Sequence, residues 1–87
     1  VHYVQFCDGP ADYDPRDEEL IRVARSGRLL PGEGNIDCVA LARAIPQDVT
    51  ISVEVPNQEL ASRFPPKAWA AAAITATRRV LAAASAI

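Results

Sequence analysis

Two short stretches of this chain place chemistry-bearing residues at a useful spacing. In Arg28-Leu29-Leu30-Pro31-Gly32-Glu33-Gly34-Asn35-Ile36-Asp37 an arginine and two glycines come just before a helix, and in Val49-Thr50-Ile51-Ser52-Val53-Glu54-Val55-Pro56 a carboxylate stands at the far end of an apolar strand. This is the layout of an active site in an α/β barrel, where ligands and metal ions gather at the C-terminal rim of the strands. A carboxylate at that rim has something to meet; one buried elsewhere without a partner would be costly.

The strand explains why Glu54 is informative. Side chains alternate along a strand, so Val49, Ile51, Val53 and Val55 share one face, while Thr50, Ser52 and Glu54 share the other. In a parallel barrel the outer face packs on helices, so the apolar row faces out and the polar row faces in. Glu54 is then the last inward position. The alternative is an edge strand with Glu54 in water.

The surrounding elements follow from local signals. Residues 1–7 (VHYVQFC) are aromatic and β-branched enough for a strand, which Asp8-Gly9-Pro10 ends. A helix is predicted from Asp14, with Pro15 at its first position, Asp17 and Glu18 in its first turn, an apolar stripe of Leu20, Ile21 and Ala24, and Gly27 as a left-handed stop. After the glycine loop a second helix, capped by Asp37, repeats Cys38, Leu41, Ala42 and Ile45 at helical spacing until Pro46. A polar loop over residues 57–65 leads to a closing helix from Pro65-Pro66 whose stripe reads Ala70, Ala73, Ile74, Thr77, Leu81 and Ala84, with Arg79 opposite and Trp69 and Val80 flanking. The order is β, α, α, β, α. A crossover this long makes the two strands parallel and the connection right-handed.

Composition narrows the partners. The chain has 87 residues and a formal charge of -2, with Arg78-Arg79 the only adjacent basic pair, so it offers no footprint for nucleic acid or an anionic membrane. Lys67, Arg78 and Arg79 interrupt the alanine-rich C-terminal stretch and exclude a membrane span. Cys7 and Cys38 have neither metal-ligand spacing nor a disulfide framework, and read as reduced, buried thiols of a cytoplasmic protein.

Two parallel strands would leave both sheet edges unpaired, and a closed barrel needs eight. Residues 1–87 are therefore expected to be the C-terminal portion of a single (β/α)8 TIM-barrel domain. The remainder is expected to be an N-terminal segment preceding Val1 or, less in keeping with a start in mid-strand, further copies of the chain.

The succession of Gln5-Phe6-Cys7-Asp8, then Arg28-x-x-Pro31-Gly32-x-Gly34-x-Ile36-Asp37, then Ser52-Val53-Glu54-Val55, then a terminal helix resembles the C-terminal end of the sugar phosphate isomerase/epimerase superfamily. These are xylose-isomerase-like TIM barrels, among them inosose dehydratases, ketose 3-epimerases and 3-dehydroshikimate dehydratases. The resemblance covers nearly all of the chain. It implies one divalent metal held by a glutamate, an aspartate, a histidine and a final glutamate from successive strands. The final glutamate corresponds to Glu54. The histidine position falls on Gln5, a departure shared by some dehydroshikimate dehydratase-like members, whose amide oxygen replaces the ring nitrogen. An all-oxygen site favours Mg²⁺ or Mn²⁺ over Zn²⁺ or Co²⁺. The first two ligands would lie upstream of Val1.

The resemblance further implies that Arg28 reaches a carboxylate, hydroxyl or phosphate of a carbohydrate or polyhydroxy-acid substrate, for which a forked guanidinium is suited. Otherwise it is an arginine of a solvated loop. Gly32 and Gly34 allow positive φ and close approach, as any helix-entry loop would want. Asp8 is either a neighbour of the site or a turn residue before Gly9-Pro10. His2 lies on the opposite strand face from Gln5 and reads as a packed or capping histidine. The implied chemistry is proton removal next to a carbonyl, with Glu54 as ligand and base, ending in isomerisation, epimerisation or dehydration. The fragment alone would be inactive. A barrel that only binds sugars and a DNA repair enzyme of the apurinic endonuclease type are the alternatives, the second disfavoured by the acidic charge balance.

Overall fold

In a computed structural model the chain is described over residues 3–11 and 16–85. The elements are β1 (Tyr3–Phe6), α1 (Asp17–Ser26), α2 (Cys38–Ala44), β2 (Thr50–Val53), α3 (Gln58–Ala61) and α4 (Pro66–Ser85). The fold is α/β. β1 and β2 pair in parallel, with Gln5 opposite Ser52 and Phe6 opposite Val53.

The alternation holds on both strands. Val4, Phe6, Ile51 and Val53 turn towards the helices, whereas Tyr3, Gln5, Thr50, Ser52 and Glu54 are exposed on the other face. Phe6 forms the core with Cys38 and Val80, and Val39, Ala42, Ile45 and Ile51 pack around it. α4 lies against both α2 and β2.

Caps set the helix boundaries. Asp37 accepts from the N–H of Ala40 at 3.0 Å and starts α2, as the sequence predicts. Pro66 opens α4 as the first helical residue. The expected start of α1 differs: Asp14 and Pro15 lie outside the described residues, as does His2, and the helix begins at Asp17 after an extended Arg16. Gly27 ends it at φ −123°, not in the left-handed region; its N–H donates to Val23 O, a bond any residue could make.

The stripe expected on α1 is corrected, and the one expected on α4 holds at Thr77 and, half-buried, at Ala73, Leu81 and Ala84 but not at Ala70 and Ile74. Leu20 and Ile21 of α1 are 42% and 49% exposed, because neither the sheet nor another described helix covers that face. On α4 the buried positions are Ala76, Thr77 and Val80, while Ile74 is exposed and Val80 is central. Alanine on every side gives the helix little apolar contrast, so contact with α2 and β2 decides which side is covered. The loop expected over residues 57–65 contains α3, capped by Asn57, whose Oδ1 accepts from Leu60 N–H at 2.9 Å.

Candidate functional site

The site is built at the C-terminal end of the two parallel strands. Gln5 and Ser52 are register partners, and the N–H of Glu54 continues the ladder by donating to Phe6 O at 3.0 Å. Gln5 and Glu54 therefore lie on the same exposed face two residues apart in register. Gln5 Nε2 donates to Glu54 Oε2 at 2.6 Å, a bond strengthened by the carboxylate charge. The amide oxygen of Gln5 is left for another partner.

Arg28 reaches the same carboxylate from the segment after α1. Its Nη1 lies 3.7 Å from Glu54 Oε1, and its Nε donates to Ala24 O at 2.9 Å. With Arg28 and Glu54 side chains 26% and 46% exposed, this ion pair is worth at most about 1 kcal/mol. The three residues singled out from sequence, Gln5, Arg28 and Glu54, thus meet at one point although they are far apart along the chain.

The glycine loop is shaped by a residue whose role the sequence left open. Asp8 is 1% exposed, and its carboxylate accepts from the backbone N–H groups of Gly9 and Ile36 through Oδ1 and of Gly32 and Gly34 through Oδ2, all at 2.8 to 3.0 Å. Burial alone would raise its pKa. The N–H donors of Ile36, Gly9 and Gly34, with the Cys38 thiol, outweigh burial and hold it below the ordinary aspartate value. Asp8 also exchanges two backbone hydrogen bonds with Leu29, at 2.8 and 2.9 Å. It is neither a bare turn residue nor a member of the Gln5–Glu54 cluster; it is the anchor of the loop. No local signal in the sequence pointed to this role, because the acceptor and the loop amides are more than twenty residues apart.

The two glycines serve different needs. Gly32 has φ +87°, which favours glycine. Gly34 is required by proximity: a Cβ there would sit 2.5 Å from Asp8 Oδ1 and also strike Gly9 O. Gly34→Ala is therefore expected to lower stability by about 2 kcal/mol through forced movement of the loop, and chemical denaturation would measure it.

Cys38 is buried beneath the loop, and burial raises its thiol pKa, with Asp8 adding to the rise. Both cysteines are free; Cys38 is buried as expected, whereas Cys7 is only half-buried at the end of β1. The buried Cys38 is a poor nucleophile in this setting.

Compared with protein-family models, curated proteins and solved structures, the chain matches none. Among the described residues no helix is long and apolar enough to cross a membrane.

Proposed function

We propose that this chain contributes the C-terminal βα units of a (β/α)8 barrel enzyme, a divalent-metal-dependent isomerase, epimerase or dehydratase acting on a sugar, sugar phosphate or related hydroxy-carbonyl compound. The observation that carries the reading is the meeting of Gln5, Glu54 and Arg28 at the C-terminal ends of adjacent parallel strands, on a polar face that no described helix covers. That is the rim where barrel enzymes bind their ligands.

The donor set fits a hard cation. Gln5 Nε2 faces the Glu54 carboxylate, and a turn of the Gln5 amide would set its oxygen beside that carboxylate, a pair of oxygen donors that suits Mg²⁺ or Mn²⁺ better than Zn²⁺ or Co²⁺. Gln5 and Glu54 would hold part of the coordination sphere, and earlier strands of the barrel would complete it. A bound divalent ion would polarise the substrate carbonyl. Glu54 would also be the carboxylate within reach of a proton next to that carbonyl. Arg28, steadied through its Nε on Ala24 O, would turn its remaining donors to an acidic or hydroxylated group and orient the substrate. Work in the cytoplasm agrees with the free thiols Cys7 and Cys38.

Metal analysis of the full-length protein tests the reading, together with a swap at Gln5. Gln5→His exchanges an amide oxygen for an imidazole nitrogen and is expected to raise affinity for Zn²⁺ relative to Mg²⁺ by about tenfold or more in competition titrations. The same preference before and after the change would remove Gln5 from the ligand set, and a protein that binds no divalent ion would end the proposal.

A further inference from the structure

Arg28 is held from both strand ends. On the β2 side its N–H donates to Pro56 O at 3.2 Å, and its carbonyl accepts from Asn57 Nδ2 at 2.9 Å while Asn57 Oδ1 caps α3. On the β1 side the next residue, Leu29, is doubly bonded to Asp8, whose carboxylate gathers the amides of the glycine loop. Asp8 follows Gln5 by three residues, and Asn57 follows Glu54 by three. At the same offset from each candidate ligand a polar residue thus holds the arginine segment: Asn57 through its side-chain donor to Arg28 O, and Asp8 through its backbone bonds to Leu29 while its carboxylate orders the glycine loop that follows.

A free arginine side chain loses much rotamer entropy when it binds a ligand. One whose backbone is tied to two strands and whose Nε is already bonded loses less. We propose that Asp8 and Asn57 are positioning residues that jointly set Arg28 beside Glu54 for contact with the substrate. This rests on reading Arg28 as a substrate-binding group.

The test follows the Arg28 Nε–H signal by NMR in the full-length protein. Asn57→Asp keeps an oxygen that caps α3 but removes the donor to Arg28 O. Asp8→Asn puts an amide nitrogen in place of one accepting oxygen. Each is expected to shift the Arg28 signal and speed its exchange with water by about tenfold. Asp37→Ala, which removes the α2 cap, serves as a control of similar structural cost and should leave the signal in place. An unmoved signal in Asn57→Asp or Asp8→Asn, or an equal shift in the control, would overturn the hold. If Asp8→Asn does not fold, exchange in the unaltered protein decides for the β1 side: Leu29 N–H, Gly34 N–H and Arg28 Nε–H should open together, and independent opening overturns the proposal. Arg28→Lys separates the two claims, because unchanged turnover there would defeat the functional reading even where the hold is upheld.

Discussion

Replacing Glu54 by glutamine should lower both metal occupancy and turnover of the full-length protein by about a hundredfold or more while leaving its fold in place. The exchange substitutes a neutral oxygen donor for a charged one at the centre of the proposed site. The fold should persist because Glu54 is an exposed residue whose ion pair with Arg28 contributes at most about 1 kcal/mol, and because a glutamine oxygen still accepts from Gln5 Nε2. Elemental analysis of the purified variant checks the occupancy without knowledge of the substrate, and a denaturation curve checks the fold. Unchanged occupancy would remove Glu54 from the metal site.

The second large effect concerns stability. Asp8→Ala withdraws the acceptor of the backbone N–H groups of Gly9, Gly32, Gly34 and Ile36 at once. A buried donor left without a partner costs about 1 to 3 kcal/mol. Gly32, Gly34 and Ile36 are exposed residues whose amides water can reach once the loop relaxes, so the expected loss is roughly 3 kcal/mol, below the simple sum. The loss also has a pH dependence of definite sign. The Asp8 carboxyl is held below its ordinary pKa, so in the folded state it stays ionised where the unfolded chain would take up a proton. Its contribution is fully present above the ordinary aspartate value and fades as pH falls through the lowered folded value. The stability gap between the unaltered protein and Asp8→Ala should therefore be constant near neutrality and narrow below about pH 4. Urea melts at a series of pH values would show it; a gap that widens in acid would contradict the assigned role.

Much of the candidate site is legible in the sequence, because the signals that define it are local. The period of two places Glu54 with Ser52 and Thr50 opposite Ile51 and Val53, and both strands obey it. Asp37 and Pro66 start their helices because a cap oxygen or a fixed φ acts within one turn. Asn57 carries the same kind of signal, yet α3 is only one turn long and leaves little helical period to read.

What tertiary structure decided is which groups meet across long separations and which faces are covered. The amides of Gly32, Gly34 and Ile36 find their acceptor in Asp8, more than twenty residues earlier, and no local pattern links a strand-end aspartate to them. The burial of Val80 rather than Ile74 follows from how α4 lies on α2 and β2, since an alanine-rich helix is nearly equally apolar all round. The sequence by itself determined the period of the strands, the caps, and the residue types that could do chemistry at their ends. Packing decided the register of α4, the burial of Asp8 and the place of Arg28 beside Glu54, because contacts between distant segments depend on how whole elements lie together.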